Sequence, residues 1–282
     1  MFATGDPAAD ESLDGCPVVR LPDAPSDLKH LLHFLVPSVG RSFLDHKRPI
    51  EFPELFAVVR LAHKYNIENL LEQALHVLKQ FYTTSFSKYE RRPHSHPNFA
   101  RPRLVHHIGA VNLARLTNTL SILPIALYHC CALSGTVMDG WTRDTGETEY
   151  LSMQDLRAVL TARGELVGRG FAMLLNIFED HPAQDCAQPG LCGIVLTGLI
   201  RSVEWMPSDE CNVLDSWEVE IRRLARELEI CKTCRRAMSK RDVKERRDVW
   251  DMLPAIFGLS KAECQWDVPV PGDDGSSDSD SD

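Results

Sequence analysis

Long apolar runs are missing from this 282-residue sequence. The longest candidate, Cys192 to Ile200, is far shorter than the roughly 20 residues of a spanning helix, and glycine and threonine interrupt it. A secretory leader is not expected either, because MFATGDPAADE is acidic and lacks the basic and apolar regions of a signal. No Asn-x-Ser/Thr sequon occurs. Phosphate-cradling Gly-x-x-x-x-Gly-Lys-Ser/Thr loops, H-E-x-x-H helices and nucleophile elbows are absent, and Gly164, Gly168 and Gly170 follow no strand. The chain is therefore not expected to be an enzyme. Strand-prone runs are scarce. Nine cysteines, an odd number spread along the chain, do not form a disulfide framework, which points to a reducing, intracellular compartment, cytoplasmic or nuclear. A net charge of −9 argues against generic polyanion binding.

What is present is mostly helical periodicity. Residues 1–15 carry few large apolar side chains and read as a flexible lead. Cys16 to Leu21 is β-prone and closes in the turn-forming stretch Pro22 to Pro25. Ser26 or Asp27 is placed to cap a helix with Leu28, Leu31, Leu32 and Leu35 on one face, ended by Pro37 and Gly40. A second helix starts near Pro53, with Leu55, Val58, Val59 and Ala62 at helical spacing. Asn66 suits its end, because asparagine tolerates a left-handed backbone. A third helix buries Leu70, Leu71, Ala74, Leu75 and Leu78.

Residues 83–103, rich in Ser, His, Arg and Pro, read as a linker or exposed loop. Helices are expected around Leu104–Val111 and from Ser121 to Cys130, with Pro124 in a first turn where its missing N–H costs nothing. Asp139 to Tyr150 reads as a polar loop. Ser152 and Asp155 form a capping-box variant before a helix with a glycine-containing interruption. A loop with His181, Cys186, Pro189 and Cys192 leads to a short helix ending near Trp205. Leu214, Trp217, Ile221, Leu224, Leu228 and Cys231 then alternate steps of three and four, one seam on one long helix. Trp250, Leu253, Ile256 and Leu259 make a last small apolar element. Residues 263–282 form an acidic tail; from Pro269 it is low-complexity sequence with nothing to bury. The fold class is mainly α with one or two short β-strands.

The order strand, helix, loop, helix, tight break, helix in CPVVRLPDAPSDLKHLLHFLV and FPELFAVVRLAHKYNIENLLEQALHVLKQF resembles the later portion of a BTB/POZ domain. Lys64, Tyr65, Asn66 and Ile67 match that family's KY-x-I/V step. AVNLARLTNTLSILPIALYHCC is similar to the helical extension of fungal-type BTB proteins. The resemblance implies a partial BTB/POZ-like unit over 16–82 and a helical region over 104–262, lacking the family's front half. An apolar face on the 26–82 helices is then expected to lie uncovered. It also implies a protein-binding scaffold or adaptor, with cullin-type ubiquitin ligases or transcription complexes among its partners.

The strongest chemical signal is cysteine. Cys231 and Cys234, one helical turn apart, share a face and could clamp Zn²⁺ with Cys186 and Cys192 from the preceding loop. The competing reading is that Cys231, following Leu228 on the apolar seam, is a core thiol. His94, His96, His106 and His107 read as solvated loop or helix-end residues. His129, Cys130 and Cys131 are sequence neighbours that do not face one another on a helix, which argues against a nucleophile and base. The basic stretch Arg222 to Arg247 could contact nucleic acid in a zinc-stabilised nuclear regulator. Interleaved Glu227, Glu229, Asp242, Glu245 and Asp248 favour a solvated, ion-paired helix face instead. Ser276, Ser277, Ser279 and Ser281, set among aspartates, fit an acidophilic kinase.

Overall fold

The computed structural model describes residues 12–36, 41–43, 48–91, 98–201 and 211–266. His94, His96, Trp205 and the tail serines lie outside these residues.

The chain is mainly α with short β elements, as its periodicity implies. Asp14 and Gly15 both have positive φ, 49° and 79°, the geometry that turns a tight hairpin. They join β1 (Ser12–Leu13) to the antiparallel β2 (Cys16–Pro17). The flexible lead is thus corrected at residues 12–15, and the strand expected over 16–21 stops at Pro17. Val18, Val19 and Leu21 stay exposed.

Helix α1 (Pro25–Leu35) starts on proline and has no side-chain cap. Asp27 does not cap it, because its carboxylate is buried and both its oxygens accept from Arg143 Nη2. Helix α2 (Phe52–Lys64) is buried along nearly its whole length. Asn66 turns the chain with φ 55°, as expected, into α3 (Glu68–Phe81). The exposed apolar side chains of this unit sit on α1 and its lead-in, where Leu32 is 50 % and Leu35 42 % exposed.

Residues 83–103 are not a plain linker. They include α4 (Phe86–Glu90) with Phe86 buried, and a strap in which Phe99 is buried and Ile50 trades backbone hydrogen bonds with Asn98 and Ala100. Burial of Phe86 and Phe99 outweighs the turn-rich composition. Next come α5 (His106–Leu116), a 3₁₀ turn at 120–122 and α6 (Leu123–Cys131), the last apolar on every side and enclosed by its neighbours. Pro124 lies in its first turn as expected.

The polar loop expected at Asp139–Tyr150 is a hairpin, β3 (Trp141–Thr142) against β4 (Thr148–Glu149). Trp141 is buried edge-on against Phe52 and Phe56. It presses so close to Gly109 of α5 that a Cβ there would lie 2.6 Å from its ring. One aromatic anchor thus converts a polar segment into structure.

Helix α7 (Met153–Ile177) opens on the expected cap, with Ser152 accepting the Asp155 N–H. It then runs without the expected interruption, for Gly164 and Gly168 meet open space. Helix α8 is Pro189–Arg201. The single seam expected beyond it is two helices, α9 (Glu218–Glu227) and α10 (Lys232–Ile256), broken where Glu229 turns left-handed at φ 55°. Trp250, Leu253 and Ile256 of the last apolar element belong to α10, with Leu259 just beyond its end, and the tail expected from 263 packs on the core through Cys264 and Trp266. Cys264 is buried, and Trp266 stacks on Trp250 at 4.5 Å. Helices pack in series, α1 on α2, α2 on α3 and α5, α5 on α6, α6 on α7, and α7 on α10, around one continuous core.

Candidate metal centre

Cys186, Cys192, Cys231 and Cys234 converge. Their four sulfurs all lie within 4.8 Å of one another, and the described residues hold no other group of three or more metal-ligating side chains this close. Three segments deliver them. Cys186 sits in the loop after α7, whose local turn is closed by the Cys186 N–H on the Ala183 carbonyl. Cys192, expected on the loop, instead lies in the first turn of α8, because Pro189 already starts that helix. Cys231 is the N-cap of α10 and Cys234 lies one turn in.

That N-cap position explains the local electrostatics. The Cys234 N–H points at the Cys231 sulfur at 3.4 Å, the Cys231 N–H at the Cys192 sulfur at 3.5 Å, and the Ala183 N–H at the Cys234 sulfur at 3.3 Å. Backbone donors at a helix N-terminus favour negative charge. Burial pushes the Cys231 thiol up, but the Cys234 and Ala187 N–H groups and the neighbouring Cys186 and Cys234 thiols outweigh it and bring it down to about 6. Burial and the crowding of thiols push Cys234 up to about 12, and Cys186 is raised as well. The Cys231 thiolate therefore forms readily, while the Cys186 and Cys234 thiols hold their protons more tightly. Four sulfurs about 2.3 Å from a tetrahedral Zn²⁺ are about 3.8 Å apart. The Cys186 and Cys231 sulfurs, 3.6 Å apart, already meet that spacing. The donor set and its geometry fit a metal ion. Cys192 and Cys234 also belong to the apolar core, and Cys186 and Cys231 pack against it.

Comparison with protein-family models, curated proteins and solved structures finds no match for this chain.

The remaining candidates do not assemble. His106 and His107 are buried rather than solvated. His106 stacks on Phe52, and burial together with the Arg103 guanidinium holds it down at about 4. The Tyr82 hydroxyl lies 2.8 Å from His107 Nδ1. Burial raises the Cys130 thiol and takes Cys131 to about 12, the reverse of an activated nucleophile. On the basic stretch Arg222 pairs with Glu218, Arg223 with Glu220 and Glu227, and buried Arg246 with Asp242 and Glu90. The sequence reading missed the helix N-terminus that aims N–H groups at the sulfurs. The turn that precedes it, at a glutamate, carries no composition signal. It also missed a cavity of about 550 Å³ lined by Phe81, Tyr89, His107, His129 and Arg246.

Proposed function

We propose that this chain is a non-catalytic helical module for binding other proteins, its C-terminal half pinned by one structural Zn²⁺ on Cys186, Cys192, Cys231 and Cys234. The convergence of four sulfurs within 4.8 Å carries the reading. An all-sulfur tetrahedral set suits zinc, and four protein ligands leave no open position for substrate, the mark of a structural rather than a catalytic site. Backbone N–H groups on three of the sulfurs supply the outer hydrogen bonds that orient such ligands. The BTB-like pattern of 16–82 supports an adaptor role, with a cullin-type partner implied by that resemblance alone. Exposed Leu32 and Leu35 on α1 offer apolar area for a partner. Ion pairing along Arg222–Arg247 favours a protein partner over nucleic acid.

Elemental analysis of the purified chain should find one zinc per molecule. Co²⁺ exchange should give the visible bands of a tetrahedral thiolate site. The binding half of the proposal is tested by affinity capture from cells: a partner retained by the native chain and lost on Leu32→Asp with Leu35→Asp supports it. Identical captures from both chains would remove α1 as the docking face.

A further inference from the structure

The four sulfurs are not equivalent. Cys192 and Cys234 are buried at 0 % and 2 % exposure, whereas Cys186 and Cys231 are half-buried. The sulfurs of these two half-buried residues also lie in contact, 3.6 Å apart. They come from segments 45 residues apart, one of them a loop outside regular structure, so closing the gap to a bond of about 2 Å moves a loop and not a helix. From this asymmetry, and resting on the zinc reading above, we infer that Cys186 and Cys231 form a peroxide-reactive pair whose oxidation to a disulfide expels the metal.

The step balances with hydrogen peroxide as the only added reactant. One thiolate, written here for Cys231, attacks the O–O bond, becomes a sulfenic acid and releases hydroxide. The Cys186 thiolate then attacks that sulfur, the S–S bond forms, the S–O bond breaks and a second hydroxide leaves. Two thiolates have lost two electrons and one peroxide has gained them. Zn²⁺ is left with Cys192 and Cys234, half its ligands, and departs. A dithiol reductant reverses the oxidation, and added zinc refills the site. The buried pair keeps the loop and helix ends close enough for reassembly.

The test uses the zinc-loaded full chain carrying Cys16→Ser, since Cys16 is exposed and would itself consume oxidant. Hydrogen peroxide is added in the presence of a zinc indicator, and the cysteines are then mapped by alkylation and tandem mass spectrometry. Trypsin separates Cys231 from Cys234 at Lys232. The expected result is release rising from none to one zinc per chain, with Cys186 linked to Cys231, and recovery on dithiothreitol plus zinc. In Cys186→Ser, oxidation should stop at a Cys231 sulfenic acid that dimedone traps. Zinc retained at peroxide levels that oxidise free cysteine, or a disulfide through Cys192 or Cys234, overturns the inference and leaves the zinc reading intact. A chain isolated with no zinc overturns both.

Discussion

Asp27 shows how far a residue's role can lie from its sequence neighbourhood. By position it is a helix cap; in the fold its carboxylate lies buried against Arg143, 116 residues away. Removing one partner of a buried pair strands the other charge, a loss of about 3–5 kcal/mol, and Glu147 on the same guanidinium offsets part of it. Asp27→Ala should therefore lower the unfolding free energy by about 3 kcal/mol, read from urea denaturation. His106 gives a pH dependence. Its folded value is about 4 and its ordinary value is 6.5, so between the two the unfolded chain binds a proton that the native chain refuses. Stability should fall as pH drops from about 6.5 to about 4 and lose nothing further from this group below that. His106→Asn should flatten that part of the profile relative to the native chain. The four cysteines were legible in the sequence because thiols carry their chemistry in their identity. Asp27 and His106 were not, because their roles depend on partners that only the fold supplies.

At the scale of elements, period and capping carried most of the reading. Helices α2 and α3, the Asn66 turn between them and the Ser152 cap of α7 all follow from spacing and side-chain chemistry. Misreadings occur where tertiary contact overrides local signals. Phe86 and Phe99 turn a Ser/Pro-rich stretch into packed structure, and Trp141 does the same for a polar one. The break between α9 and α10 is a different case, since the three-four alternation runs straight across it. Its pivot, Glu229, holds a left-handed backbone that costs a non-glycine residue about 1–2 kcal/mol. Glycine takes that conformation freely but is more flexible when unfolded, a loss of about 0.5–1 kcal/mol. Glu229→Gly should therefore raise stability by about 0.5 kcal/mol, measured as a small rise in Tm with zinc content unchanged. A fall in Tm would mean that the glutamate side chain does more than occupy the turn.

On the whole-molecule scale, the described chain closes on itself near its end. Trp266 stacks on Trp250, donates its indole N–H to the Trp250 carbonyl at 2.9 Å and is 3 % exposed. Trp266→Ala should cost about 3 kcal/mol in urea denaturation, as for other buried large aromatics. The metal centre has a topological consequence of another kind. On the zinc reading, an ion bonded to both Cys192 and Cys231 makes the 39-residue span between them a closed ring. Ring closure of this length removes unfolded-state entropy worth about 4 kcal/mol by the loop-closure relation used for disulfides. A single backbone cut anywhere in 193–230 would leave two fragments, each holding two of the four thiolates. Such a nicked protein should migrate as one species on a native gel, and a chelator should lower the urea concentration at which its fragments part, because α7 and α10 still pack across the cut. The ring is a circuit with a removable link, and α9 and the part of α8 from Cys192 onward lie inside it.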